Sequence, residues 1–180
     1  MVAVWPGMGQ VALSAGYYLM AKLQMRLVAE FRALDLFDVE NVEVDEGLIQ
    51  STRLPRSRFF VWNDPNGQRD IVLFVGEAQP PVGKYAFCQR VMEVAGQLGV
   101  ERVFTFASMA TQAQLQDDPR VFLAATNGAI LSEFEPYQFE VLKEGQIGGL
   151  NGLLLGVAAQ NQLNGACLLG EMPFVFARVP

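Results

Sequence analysis

The sequence predicts a three-layer α/β/α sandwich built on a mostly parallel, mixed sheet. Three observations predict it. Short, continuous apolar runs such as Ile71-Val-Leu-Phe-Val75 suit strands covered on both faces. These runs alternate with stretches of helical periodicity, the pattern of a sheet flanked by helices. Between residues 35 and 70 the rhythm changes to short strands and turns, which adds hairpins and so makes the sheet mixed. The chain has 180 residues, of which 51% are hydrophobic and 18% charged. A single domain of that length buries roughly 70% of its unfolded surface. We read residues 1–180 as one domain, with 35–70 as a hairpin-rich insertion within it.

Each element has its own signal. Residues 2–5 are a short apolar strand, and Pro6-Gly7-Met8-Gly9 is a turn. Residues 11–23 form a helix that is apolar nearly all round, which predicts burial on most sides. Residues 26–31 form a second strand. Residues 42–44, 48–51 and 58–62 are short strands, and Asp64-Pro-Asn-Gly67 is a turn because Asn-Gly tolerates positive φ. The strand 70–76 follows. Residues 81–98 form a helix with Tyr85, Cys88, Met92, Ala95 and Leu98 as its stripe, stopped by Gly99. Residues 103–107 are a buried strand, 112–119 an exposed polar loop, and 121–125 a further strand. A short helix at 129–134 is interrupted by Pro136. Gly148-Gly-Leu-Asn-Gly152 opens a helix over 153–162, where Asn151 is placed to cap. Residues 165–169 are the last buried strand.

Composition narrows the function. Histidine is absent, which removes His-based triads, Cys-His dyads and His-containing zinc sites. Cys88 and Cys167 lie in apolar patterns and read as buried thiols of a reducing compartment. The net charge of −6 argues against phosphate-backbone binding. Arg53, Arg56 and Arg58 read as a solvated loop rather than a nucleic-acid surface. Mean hydropathy is +0.22, yet no stretch has the roughly 20 apolar residues of a membrane span. The start, Met1-Val-Ala-Val-Trp-Pro6, lacks the basic region and cleavage site of a signal peptide, so the expected location is cytoplasmic.

Ligands of such sheets bind outside the carboxyl ends of the strands. Four loops qualify: Trp5-Pro-Gly-Met-Gly9, Gly76-Glu-Ala-Gln-Pro80, Ser108-Met-Ala-Thr111 and Gly170-Glu-Met-Pro173. Two repeat one pattern, an apolar strand followed by Gly-Glu, so Glu77 and Glu171 are expected at equivalent strand ends. Were those strands neighbours, the carboxylates would share one sheet edge. There they could do acid–base work, hold a cation or hold a ligand amine. They read equally well as caps of nearby amides. Gly7-Met-Gly9 before a helix resembles a phosphate-cradling turn, with Ala12 where a third glycine would stand and no Walker lysine. Tight-turn packing explains it as well. The candidate ligand-binding residues are thus Gly7, Gly9, Glu77, Asn151 and Glu171, with no catalytic residue, metal ligand or cofactor assigned.

Five motifs in order carry a resemblance along essentially the whole chain. Trp5-Pro-Gly-Met-Gly9, Asp45-Glu-Gly47 with its following Arg/Pro-rich stretch, Gly76-Glu-Ala-Gln-Pro80, Gly149-Leu-Asn-Gly152 and Leu169-Gly-Glu-Met-Pro173 resemble the proteasome assembly chaperone 2 family. The resemblance implies a phosphorylase-like fold, homo-oligomers, and a non-catalytic assembly chaperone or scaffold that acts on proteasome subunits. Family members are often labelled ATP-grasp or carboxylate–amine ligases, but the glycine-rich loops here are too sparse for that label. Some such chaperones end in a hydrophobic–Tyr–any-residue tail; here the last residues are Arg178-Val-Pro180. A further helix is expected beyond them, and further residues ahead of the short first strand. The alternative function is a small-molecule binder or enzyme, for a nucleoside- or phosphate-like ligand, that uses the strand-end cleft.

Overall fold

A computed structural model describes residues 1–38 and 42–177. The tail residues Arg178, Val179 and Pro180 lie outside the described residues, as do 39–41. The strands are β1 (Val2–Val4), β2 (Arg26–Phe31), β3 (Val44–Asp45), β4 (Leu48–Ile49), β5 (Ser57–Trp62), β6 (Ile71–Gly76), β7 (Arg102–Thr111), β8 (Val121–Ala125), β9 (Glu140–Val141) and β10 (Asn164–Pro173). The helices are α1 (Val11–Lys22), α2 (Lys84–Gln97), α3 (Gly128–Glu133) and α4 (Gly149–Gln160).

Eight strands form one sheet in the order β2-β5-β6-β1-β7-β10-β8-β9. Its centre, β6-β1-β7-β10, is parallel. β2, β5 and β8 pair antiparallel, and the edge strand β9 runs parallel to β8. The sheet is therefore mixed, as the apolar runs and hairpin signals predict. β5 and β6 belong to this sheet; among the described residues of the 35–70 segment, β3 and β4 form a separate hairpin.

Side-chain alternation sorts the layers. Trp5, Phe74, Val103, Cys167 and Leu169 point to the face covered by α2 and α4, where Phe87, Val91, Leu150 and Leu154 meet them. Val4, Leu73 and Val75 point the other way, to Ala12 of α1. Leu123 and Ala166 meet Ile130 of α3 on that same side. An aromatic cluster fills the first face, with Phe59–Phe74 centroids 4.7 Å apart and Trp5–Phe74 centroids 5.2 Å apart.

Several elements differ from expectation, each for a local reason. α1 buries only Ala12 and Gly16, because one side meets the sheet and, among the described residues, no element covers the other; Tyr17 and Tyr18 are exposed. α2 starts at Lys84, after Pro80, Pro81 and a left-handed Gly83. Its buried stripe is Phe87, Cys88, Val91 and Ala95, whereas Tyr85 and Leu98 are exposed. α4 starts at Gly149, with Gly148 as its first flanking residue. Asn151 therefore sits inside the first turn rather than capping it. β7 and β10 are each ten residues long and pair from Asn164↔Arg102 to Pro173↔Thr111. The β5–β6 connection spans residues 63–70, in which Gly67 has φ +67°.

Two glycines of α4 are in opposite circumstances. A Cβ on Gly152 would lie 2.0 Å from the Ile147 carbonyl oxygen, a backbone atom that has nowhere to go. A Cβ on Gly156 would meet nothing within 4 Å. Gly156→Ala is expected to stabilise the protein by about 1 kcal/mol, through helix propensity alone. Gly152→Ala, the same change four residues earlier, is expected to destabilise it by about 1–3 kcal/mol. Guanidinium unfolding of the two variants checks the opposite signs.

Candidate functional site

The parallel strands deliver their carboxyl ends to one rim of the sheet, and a cavity of about 350 Å³ opens there. Gly7 and Met8 reach it from the end of β1. Ala107, Ser108 and Met109 reach it from β7, and Leu169 from β10. Its remaining wall is Ala12 of α1, Gln79 just past β6, and the entry to α4 at Gln146, Ile147, Gly148, Gly149 and Asn151. The amino-terminal end of α4, the positive end of its peptide dipoles, thus borders the cavity.

Three side chains assemble this rim. Asn151 is buried, and its amide clasps the backbone of Trp5. Oδ1 accepts from the Trp5 N–H at 3.3 Å, and Nδ2 donates to the Trp5 carbonyl at 3.4 Å. Gln79 bridges two elements, donating from Nε2 to the Pro6 carbonyl at 2.7 Å and accepting from the Leu150 N–H at 3.0 Å. Ser108 donates to the Met8 carbonyl at 2.8 Å. The β1 exit is therefore tied to β6, β7 and α4 at once.

Of the five candidate residues, Gly7 and Asn151 line the cavity. Gly9 does not. It lies in a left-handed conformation at φ +63°, where a Cβ would fall 3.1 Å from the Met172 sulfur. Glu77 and Glu171 also lie outside the lining. The two carboxylates do not share an edge, because β1 and β7 separate β6 from β10. Nor are their positions equivalent. Glu77 follows β6, whereas Glu171 lies within β10, opposite Met109.

Each carboxylate is held by arginine. Glu77 accepts from Arg53 at 2.6 Å, from the Arg56 N–H at 3.0 Å, and pairs with Arg58 at 3.2 Å. Burial works to raise its pKa, but the Arg53 and Arg56 hydrogen bonds and the charges of Arg53 and Arg58 together lower it. Two of the three arginines read as a solvated loop are thus committed to one carboxylate. Glu171 has a side chain only 2% exposed. Arg120 donates to it from Nε, Nη2 and its backbone N–H, and the Thr111 hydroxyl donates at 2.6 Å. The Arg120 hydrogen bond, then those from Thr111 and the Arg120 backbone, bring its pKa from 4.5 down to about 2. Arg120 also pairs with Glu140 at 3.0 Å, so one guanidinium links β10 to β9.

Gln79 and Ser108 are cavity-lining residues that the candidate set misses, although both lie in the loops that define it. A signal existed for Gln79: an amide can accept from one backbone group and donate to another, which a carboxylate at neutral pH cannot. Burial pushes the Cys88 thiol up to about 12 and the Cys167 thiol up to about 11, so neither is a thiolate near neutrality. Among the described residues, no group of three or more Cys, Asp or Glu is placed to hold a metal ion. Also among them, no helix is long and apolar enough to cross a membrane.

This arrangement defines a class: a mixed α/β sandwich whose strand-end rim is tied together by side-chain amides, with its acidic loops neutralised by arginine. The PAC2 family, the proteasome assembly chaperone 2 family, matches residues 1–179, and the chain belongs to it. Its fold is that of PbaB from Pyrococcus furiosus, an archaeal proteasome activator. That match has a TM-score of 0.79 and 24% identity, and covers 95% of this chain and 73% of that one. A Mycobacterium tuberculosis proteasome-assembly chaperone homologue matches with a TM-score of 0.79 and 18% identity, over 100% of this chain and 78% of that one. PbaA of Pyrococcus furiosus, a homologue of proteasome-assembly chaperone, matches with a TM-score of 0.74 and 24% identity, over 98% and 68% of the two chains. An uncharacterised protein of Methanocaldococcus jannaschii is 23% identical over 171 residues, 93% of this chain but 63% of that protein's length.

The depressed pKa of Glu171 gives a pH signature. Its folded value lies below its ordinary one, so the stabilisation is complete above about 4.5 and is lost as pH falls towards about 2. The melting temperature of Glu171→Gln is expected to lie below the parent at neutral pH. The gap should close between pH 4.5 and 2, as thermal denaturation across that range would show.

Proposed function

We propose that this chain is a non-catalytic, self-associating assembly chaperone or scaffold, working in the cytoplasm on proteasome subunits. One observation carries the reading: the PAC2 family match extends along residues 1–179. Relatives with this fold include a proteasome activator and a proteasome-assembly chaperone homologue. The commitment of Glu77 and Glu171 to arginines supports a structural use of both carboxylates. Exposed apolar side chains support self-association. Val44, Leu48 and Ile49 project from the β3–β4 hairpin, and Tyr17 and Tyr18 from α1. Size-exclusion chromatography with light scattering tests the proposal. The chain alone should run as a homo-oligomer at micromolar concentration, and proteasome α-subunits of the same organism should shift it to a larger complex. A monomer indifferent to those subunits would count against both parts.

A second reading rests on the cavity. The backbone of Gly7 and of Gly148-Gly149 lines a space of about 350 Å³ beside the start of α4, which suits a small polar or anionic ligand. The phosphorylase-like parentage implied by the motifs belongs to this reading, as does a ligand role for Gly7, Gly9, Glu77, Asn151 and Glu171. Inorganic phosphate and a nucleoside serve as probes in a thermal-shift series. Under this reading, Ser108→Phe, which fills the cavity, abolishes a saturable rise in melting temperature. No rise with either probe in the parent chain removes it.

A further inference from the structure

Four Asn-Gly pairs occur in the chain, at Asn66, Asn127, Asn151 and Asn164. Asn followed by Gly is the pair most open to attack of the next backbone nitrogen on the side-chain carbonyl carbon, since Gly has no Cβ to obstruct the approach. The fold treats the four pairs very differently.

Three are held shut. Asn127 has both ends of its amide engaged: Oδ1 accepts from the Ile130 N–H at 3.0 Å and Nδ2 donates to Asn164 Oδ1 at 2.8 Å. Asn164 is bound through that same contact. Its following Gly165 is buried, with its N–H donated to Thr126 Oγ1 at 2.9 Å. Asn151 is buried inside α4 with its amide on the Trp5 backbone. The attacking nitrogen of Gly152 lies within that helix.

Asn66 is unlike them. It sits at the exposed tip of the β5–β6 connection. Its backbone N–H donates to Asp64 Oδ1 at 2.9 Å, and its side-chain amide meets that same local carboxylate rather than a residue of another element. A Cβ on Gly67 would meet nothing within 4 Å, so the attack path is open. One bond must open first, from the Gly67 N–H to the Asp64 carbonyl at 2.9 Å. At a solvent-exposed loop tip that opening is a local event, well short of global unfolding.

We infer that Asn66 is a site of spontaneous deamidation in the folded protein. The Gly67 nitrogen gives up its proton to water and forms a bond to Asn66 Cγ. The Cγ–Nδ2 bond breaks, and the amide leaves as ammonia after taking up a proton. The five-membered succinimide then adds water at one of its two carbonyls, which yields aspartate or isoaspartate. No electrons are exchanged and water is the only co-reactant. The product places a new carboxylate beside Asp64 and Asp70. In the isoaspartyl form it also inserts a methylene into the backbone of the connection that sets the β5–β6 register.

The test is peptide mapping by mass spectrometry after the folded chain is held at mildly alkaline pH, with digestion at acidic pH to suppress further reaction. The peptide containing Asn66 should convert at least an order of magnitude faster than those containing Asn127, Asn151 or Asn164. It should split chromatographically into aspartyl and isoaspartyl forms. In guanidinium-unfolded chain the four rates should converge. An Asn66 peptide that stays intact in the folded chain overturns the inference. So does equal conversion at any of the other three sites before unfolding.

Discussion

The grip on Trp5 is the constraint from which the rest of the molecule is arranged. β1 is only three residues long, yet it lies in the middle of the sheet with β6 on one side and β7 on the other. So short a strand has few ladder bonds to hold it. Asn151 supplies the missing ones by taking both polar groups of the Trp5 backbone, a buried arrangement in which an unpaired group would cost about 1–3 kcal/mol. The indole then needs room, and Gly76 gives it. A Cβ there would stand 2.3 Å from the ring. Asn151 reaches Trp5 from the first turn of α4, where Gly152 lets the Ile147 carbonyl approach. The three glycine-containing motifs around residues 7, 76 and 152 are thus parts of one packing problem.

The sheet is largely legible in the sequence, and the reasons are physical. The strands at 71–76, 102–111 and 164–173 are covered on both faces and so read as apolar runs. β9 has two residues, both exposed, and nothing in so short a stretch distinguishes it from a loop. The extension of β10 through Glu171 is hidden for another reason. A charged residue within a buried strand reads as a strand end until its partner is known, and Arg120 is 51 positions away. The orientation of α1 is equally hidden, because apolar composition all round does not say which side has a neighbour. Among the candidate residues, the order of strands decided what composition could not. Gly7 and Asn151 reach the cavity because they adjoin β1 and α4. Glu77 and Glu171 are kept apart by the two strands between theirs.

Those two carboxylates also show how one local pattern yields two environments. Both follow an apolar run and a glycine. Glu77 emerges from the sheet into an arginine-rich segment that folds back over it, so it organises the chain from residue 53 to 58. Glu171 remains in the ladder with its side chain shut away, and Arg120 comes to it from the loop before β8. A carboxylate buried this completely is tolerated because hydrogen bonds and a guanidinium together replace its water. The acidic balance of the chain as a whole says nothing of this, since the arginines are concentrated where single carboxylates need them.

The position of β1 has a consequence for the order in which the chain acquires structure. Its two ladder partners lie about 70 and 100 residues further along, at Leu73 and Phe104. On a ribosome, residues 2–4 emerge long before either partner exists. The centre of the sheet therefore closes only after both later strands are made, with β1 inserted between them. The loop-closure entropy of such distant pairings slows folding, and an unfilled slot between β6 and β7 exposes two strand edges meanwhile. In this topology the central strand edges are thus the last to be covered.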